Sequence, residues 1–342
     1  MKGDLYLFDD YRGRGVAAWV RDGRLHDLLV DPPAARVMPG TVFRARATRP
    51  MKGMGGALLD GPEGPLFLRK ADDLAPGTSV VVQVLSIAEP GKAPPVTRRL
   101  TFKGRFAIAT PGAPGLNISK SIRDEEERLR LREIADPVHD AGGPGLILRS
   151  EAEGADEDAI AAEARALLDL ARTVSADTEG APERLLDPPD ARTLALRDWP
   201  APDSTDDRAG ALADHGALDL IDATLAPEQP LPGGGRMTIE PTRALVAVDI
   251  DTGTDTSPAA GLKATLAAAR DLPRVLRLKG LGGQIVIDPA PLAKKDRRQV
   301  EQALTRAFRD GGIETALLGW TPGGLIELQR KRERLPLSEA LA

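Results

Sequence analysis

The last third of the chain changes hydrophobic period twice, and those changes predict its architecture. Apolar side chains recur at alternate positions in RMTIE and ALVAVDID, then again in GQIVIDP and ETALLGW, the pattern of half-buried strands. Between VAVDID and QIVID the spacing lengthens to three and four in LKATLAAARDLPRVLRL. This reads as a helix opened by Ser257 and Pro258 as cap and first residue, with a kink allowed at Pro273. A basic helix follows, PLAKKDRRQVEQALTRAFRD, closed by Gly311 and Gly312. Strand, helix and strand in that order predict a right-handed crossover between parallel strands.

Upstream the apolar runs are shorter. Residues 1–33 carry LYLF, GVAAWV and GRLHDLLV, two or three short strands closed by the DPP turn at 31–33. Residues 34–106 carry GTVFRARA, GGALLDG, GPLFLR, TSVVVQVLSIA and VTRRLTF, and five short strands suit a small Greek-key barrel of the OB type. Residues 107–180 run from the strand RFAIAT through the charged helix RDEEERLRLREIA and the strand GLILRS to a second helix from Asp156 to Val174, a small α/β unit. Residues 181–235 are acidic and rich in Pro and Asp, with one short helix expected at Leu218–Ala226 and a turn at Pro230–Gly235, so they read as a connector with partial structure. The expected fold class is α/β and β in several domains, ending in a C-terminal α/β domain over 236–342.

The hydrophobic fraction of 42% and charged fraction of 28% are those of a soluble globular protein. No apolar run approaches a membrane span, and MKGDLYLFDD does not read as a signal peptide, so no membrane partner and a cytoplasmic location are expected. The chain has no cysteine, which excludes disulfides and thiolate zinc sites and suits a reducing cytosol. His26, His139 and His215 are too scattered for a local histidine metal site. A net charge of −5 argues against a polyanion partner, yet its distribution is uneven. Residues 34–106 hold 12 Lys/Arg against 5 Asp/Glu, whereas residues 151–236 hold 7 against 20. Local potential, rather than the total, attracts a polyanion, although small domains also differ in charge by chance. On the barrel, Phe43, Phe67, Phe102, Arg44, Arg46, Lys52, Lys92 and Arg98 are candidates for stacking and phosphate contact; each phenylalanine has a second reading as barrel core.

Two apolar strands that both end in Asp carry the candidate chemistry. VAVDID places Asp249 at a strand end with Asp251 two residues on and on the same side, and QIVID places Asp288 at the end of the next parallel strand. Ligands of open α/β sheets bind beyond the carboxyl ends of strands. Three carboxylates converging there, with Asp255 nearby, repel one another unless a cation sits between them, and Mg²⁺ is the hard ion suited to oxygen ligands. Such Asp residues also serve as turn formers and helix caps. The spacing does not separate a nuclease from a phosphatase or a kinase-like enzyme.

ALVAVDIDTG at 244–253, RLKGLGGQIVIDP at 277–289 and GGLIELQRKR at 323–332 resemble the ribonuclease E/G family. The likeness continues upstream through MKGDLYLFDD, PGTVFRARATRPMKGMGGALLDGPEGPLFL, KGRFAIATPGAPGLNISKSI and LILRSEAEGA. It implies an endoribonuclease for single-stranded RNA. The implied parts are an S1 barrel of the OB type over 34–106, a 5′-sensor region over 107–180, a reduced RNase H-like region from 1–33 and 181–235, and a DNase I-like catalytic domain over 236–342. By the same resemblance Asp249 and Asp288 hold Mg²⁺, and Asp251 stands where the family usually has Asn. The resemblance keeps Phe67 as an RNA-stacking aromatic; Lys92, Arg98 and Lys103 are expected to hold RNA beside it, and Arg277, Lys279, Arg330 and Arg332 to contact phosphates near the cut, with solvation of a helix surface as the second and favoured reading of each of these four. The resemblance also implies that Arg149 and Ser150, with backbone near Gly115, take a 5′-monophosphate, whereas Arg149 read from the residues alone is an ordinary surface ion pair. The departures are Asp251, Thr321-Pro322-Gly323-Gly324 in place of Arg-Phe-Gly, and the absent Cys-x-x-Cys zinc link, which excludes a zinc-joined dimer and leaves the oligomeric state open. These departures keep a second hypothesis in view, a catalytically weak or inactive RNA-binding homologue. A third, a phosphatase for small phosphate esters, leaves the basic barrel without a purpose.

Overall fold

Period-two burial marks Gly64–Arg69, Val246–Asp251, Gly283–Asp288 and Ile326–Arg330 in the computed structural model, which describes all residues except Met1, Lys2, Ala35, Lys52, Met54, Asp72, Pro90 and Pro258. The expectations placed on Lys52 and Pro258 lie outside the described residues. The chain divides into two compact units, one of residues 1–34, 190–195 and 200–342, the other of 35–189 and 196–199.

In the second unit, five strands close into a barrel. Val42–Met51 pairs with Gly56–Gly61, which pairs with Gly64–Arg69; Pro95–Thr97 and Ser79–Val84 follow, and the last returns to Val42–Met51. Alternate residues fill its interior, among them Phe43, Ala45, Leu59, Leu66, Leu68 and Val82. The fifth strand stops at Thr97, earlier than VTRRLTF suggests. Phe102 and Lys103 belong to the next sheet, ordered Leu116–Ile118, Gly145–Leu148, Ala107–Thr110, Phe102–Lys103. Helices Glu125–Ala135 and Glu157–Ala176 pack on this sheet through residues such as Leu131, Ile160 and Leu168. Asp124 and Asp156 cap them by accepting from the N–H groups of Glu126 and Ala159.

In the first unit, Asp4–Tyr11, Arg14–Arg21 and Arg24–Val30 form an antiparallel meander, joined in parallel by Ser204–Asp206. The 181–235 stretch is far more structured than a connector. It holds strands Glu183–Leu186, Ser204–Asp206 and Glu228–Pro230 and helices Ala191–Asp198, Ala211–Asp214 and Ala217–Leu225. The C-terminal sheet has six strands, ordered Glu228–Pro230, Arg236–Pro241, Val246–Asp251, Gly283–Asp288, Ile326–Arg330 and Thr315–Trp320. Val246–Asp251 and Gly283–Asp288 are parallel, as the crossover requires, and every other pair is antiparallel. Helix Ala260–Leu278 continues through Pro273, and Arg297–Asp310 begins later than the basic run suggests, after a 3₁₀ turn at Lys294–Asp296. Both helices bury their apolar stripes against one face of the sheet, over Val248, Ile250, Ile285, Ile287, Ile326 and Leu328. Gly280 ends the first helix at φ +65°, where an added Cβ would overlap the Leu335 carbonyl, so the turn requires glycine.

Candidate functional site

The sheet face away from the two helices carries the site. Val246, Val248 and Ile250 are buried under the helices, so Asp249 and Asp251 project to the other side and are exposed. The next strand repeats the pattern, with Ile285 and Ile287 buried and Asp288 exposed. The parallel register pairs Val248 with Ile287 and Asp249 with Asp288. The two carboxylates are therefore side by side on one face, in strands about 4.8 Å apart. Among the described residues neither has a hydrogen-bond or ion-pair partner. Thr238, on the adjoining antiparallel strand, lies directly opposite Asp249.

The expected third carboxylate does not join them. Asp251 is on the same face, but its Oδ1 accepts from the Gly253 N–H and lies 3.9 Å from the Arg236 guanidinium. Asp255 accepts from the Ser257 N–H at 2.8 Å, the turn-forming alternative. Among the described residues no group of three or more His, Asp or Glu side chains could hold a metal. Two adjacent hard oxygen donors do not satisfy zinc, which takes three or four protein ligands. They suit Mg²⁺, which keeps several waters and binds through one or two carboxylates together with substrate phosphate.

Phe43 is barrel core and Phe102 is core of the next sheet, 0% and 3% exposed. Phe67 instead faces outward between buried Leu66 and Leu68, in register with Leu58 and Pro95. Its ring packs over Gly56, where a Cβ would come within 3.0 Å of it. Arg49 is opposite Leu58 and Arg69 opposite Gly56, so both flank this outer face; neither has a partner among the described residues. Apart from Lys52, which lies outside the described residues, the cations expected here each have a partner within the protein. Lys92 pairs with Glu89, Arg98 makes a two-pronged contact to Asp73, and Lys103 pairs with Asp198. Arg44 is buried, donating to the Ala181 carbonyl and paired with Asp177 and Glu183, and Arg46 donates to the Gly180 carbonyl.

The expected 5′-phosphate residues are not brought together. Leu116–Ile118 and Gly145–Leu148 run parallel with Leu116 opposite Leu146, so Gly115 precedes one end of the pair and Arg149 follows the other, roughly 13 Å apart. Gly104 is the glycine beside Arg149, whose guanidinium donates to the Gly104 carbonyl at 2.5 Å and the Arg197 carbonyl at 3.3 Å. The same guanidinium pairs with Glu151 and Asp198, and Ser150 donates to Glu151.

A model of the ribonuclease E/G family matches residues 101–206 and 203–333. The chain belongs to the ribonuclease E/G family. It is 31% identical over 316 residues to the ribonuclease E of Nostoc sp., a match covering 79% of this chain and 46% of the relative. It is also 31% identical over 322 residues to the ribonuclease E of Synechocystis sp., covering 81% and 48%. The ribonuclease G of Haemophilus influenzae is 27% identical over 390 residues, covering 95% of this chain and 78% of the relative. The chain thus spans about half the length of these ribonuclease E relatives. Among the described residues no helix is long and apolar enough to cross a membrane.

Within this ribonuclease E/G chain, three cations expected near the cut are held inside the protein. Arg277 donates to the carbonyls of Gly311 and His26 and pairs with Asp27. Lys279 donates from Nζ to the carbonyls of Thr224 and Ala226, and burial lowers its pKa to about 8. Arg330 is 1% exposed, on the helix-covered face over Phe308. Sequence reasoning missed Thr238, Arg49, Arg69 and the exposed Lys294, Lys295 and Arg298, which follow Asp288 in the chain and have no partner among the described residues. The hairpin turn closed by Thr242 and Leu245 sets the register that places Thr238, and period two from Phe67 reaches Arg69. Arg49 carries no such signal, because a bulge between Ala47 and Arg49 breaks the alternation.

Proposed function

We propose that this chain is a Mg²⁺-dependent endoribonuclease that cuts single-stranded RNA internally. The register pairing of Asp249 with Asp288 on an uncovered sheet face carries this reading. Their strands hold the two carboxylates in one row, and among the described residues neither has an ion-pair partner, the arrangement that a divalent ion completes. When bound, Mg²⁺ supplies Lewis acidity that activates water and offsets charge on the phosphodiester. Asp249 and Asp288 fix where that happens, and displacement of the 3′ oxygen leaves 5′-phosphate and 3′-hydroxyl ends. Phe67 supplies a stacking surface for a base while Arg49 and Arg69 take the adjoining phosphates. Lys294, Lys295 and Arg298 add positive charge in the segment leaving Asp288. In this reading residues 236–342 are the DNase I-like catalytic domain, and the N-terminal meander with Ser204–Asp206 stands for a reduced RNase H-like region. The direct test is incubation of the chain with a 5′-monophosphorylated single-stranded RNA with Mg²⁺ and with EDTA. Internal cleavage is expected only with the metal; salt-sensitive binding without cleavage at any Mg²⁺ concentration would instead establish the inactive RNA-binding homologue.

Two further outcomes follow from the second unit. Phe67→Ala is expected to weaken binding of a single-stranded oligoribonucleotide by about 1–3 kcal/mol, the usual worth of one base–aromatic stack; fluorescence anisotropy measures it, and unchanged affinity would place the RNA elsewhere. For 5′-end recognition, a phosphate reaching Arg149 must displace Asp198 or Glu151, exchanging one ion pair for another. The preference for 5′-monophosphorylated over 5′-hydroxyl RNA is therefore expected to be small, about threefold. A hundredfold ratio of kcat/KM would contradict that placement of Arg149.

A further inference from the structure

The uncovered face of the C-terminal sheet is strongly acidic, and its strands carry one cation there. Glu240, Asp249, Asp251, Asp288 and Glu327 all project from it by register and alternation. Arg330, the other cation in these strands, is buried on the opposite face. Arg236 lies directly across from Asp251 and diagonally from Asp249. Diagonal neighbours in an antiparallel pair are about 7–8 Å apart, within reach of an arginine side chain.

We propose that Arg236 is a substrate-phosphate contact at the Asp249–Asp288 pair and that Asp251 steers its guanidinium. The proposal rests on the ribonuclease reading and names the residue through which that face accepts an anion. Arg236 is 54% exposed, and its nearest charge is the Asp251 Oδ1 at 3.9 Å, the outer limit of an ion pair. That oxygen is itself held by the Gly253 N–H. An exposed pair at such a distance is weak, so the guanidinium is aimed without being consumed. Its planar fork is then available for a two-pronged contact with a phosphodiester, which a lysine ammonium cannot make. The same pairing explains how this chain tolerates a carboxylate at 251: Arg236 offsets a charge that would otherwise add to the repulsion felt by the RNA backbone.

The alternative is that Arg236 only neutralises Asp251, and a set of three variants separates the two roles. Binding of a fluorescein-labelled single-stranded oligoribonucleotide is measured in EDTA over a range of salt concentrations for the wild type, Arg236→Ala, Arg236→Lys and the double variant Arg236→Ala/Asp251→Asn. Steady-state cleavage with Mg²⁺ is measured alongside, and circular dichroism and Tm confirm folding. Arg236→Ala is expected to bind about tenfold more weakly, with the slope of log K against log salt smaller by about 0.7, the loss of one phosphate contact to a single strand. Arg236→Lys is expected to keep the slope and KM but to lose kcat, because the charge remains and the fork does not. The double variant is expected to recover only a small part of the loss and to keep the reduced salt slope, because neutralising Asp251 removes repulsion but restores no phosphate contact. Recovery of wild-type affinity in the double variant would reduce Arg236 to charge compensation and overturn the proposal, as would an unchanged salt slope in Arg236→Ala. A wild-type chain that binds no RNA would instead overturn the ribonuclease reading itself.

Discussion

Cleavage by the Asp249→Asn and Asp288→Asn variants is expected to fall about a thousandfold each, with fold and stability preserved. The size follows from the several kcal/mol of transition-state charge stabilisation that a bound divalent ion supplies, at 1.36 kcal/mol per tenfold. The double variant is expected to lose little more than either single one, because one missing donor already disables a two-carboxylate site. Preservation of the fold follows from exposure: neither carboxylate has a partner among the described residues, so neither contributes a contact to lose. Rates are measured on a 5′-monophosphorylated single-stranded RNA and melting by circular dichroism. Variants that cut at the wild-type rate would remove these residues from the chemistry, and variants that unfold would show that they are structural.

The second large effect is on stability and lies in the same unit, far from any catalytic role. Asp27 is 4% exposed and bound by Arg334 at 2.5 and 3.0 Å, with Arg277 at 3.3 Å. Removing one member of such a buried network leaves the others uncompensated, so Asp27→Asn is expected to cost about 3–5 kcal/mol. Burial opposes ionisation of Asp27, but the two arginines and the Leu28 N–H outweigh it and hold the pKa at about 2. A carboxyl depressed in the folded state binds fewer protons than in the unfolded chain. Its stabilisation is therefore complete above the ordinary carboxylate range and is lost as pH falls from about 4 toward 2. His26 acts earlier in the same direction. Burial, with Arg277 and Arg21 nearby, lowers its pKa to about 4, so below about 6.5 the unfolded chain takes up a proton that the folded one refuses. Unfolding free energy from urea titrations is expected to decline in two steps, between pH 6.5 and 4 and again below 4. His26→Gln should flatten the first step and Asp27→Asn the second; a profile flat from pH 7 to 3 in the wild type would contradict both assignments.

The side-by-side placement of Asp249 and Asp288 was legible because local pattern and topology agree there. Alternation in VAVDID and QIVID gives the face, and the intervening helix gives parallel strands, so only the one-residue register remained to be seen. Asp251 was legible as to face but not as to role, since capture of its carboxylate by the Gly253 N–H depends on the turn that follows. The barrel was legible from five short runs, but the sharing of its cations was not: Arg98, Lys103 and Arg44 meet acids that are 25 to 139 residues distant in sequence. In the 181–235 stretch the helix at Ala217–Leu225 was legible, but the short strands were not, for the same reason. A three-residue strand such as Ser204–Asp206 has no period to detect and exists because Asp4–Tyr11 offers it an edge. Gly104 meets Arg149 because Ala107–Thr110 pairs antiparallel with Gly145–Leu148, while the parallel pairing of Leu116–Ile118 leaves Gly115 at the far end, and neither pairing is legible in sequence.

The central claim is that two side chains, Asp249 and Asp288, make one divalent-ion site. Titration of Mn²⁺ into the chain, followed by electron paramagnetic resonance without RNA, tests it most directly. One bound ion per chain is expected in the wild type, competed by Mg²⁺ and lost in both Asp249→Asn and Asp288→Asn. Equal Mn²⁺ binding in the wild type and both variants would contradict the claim.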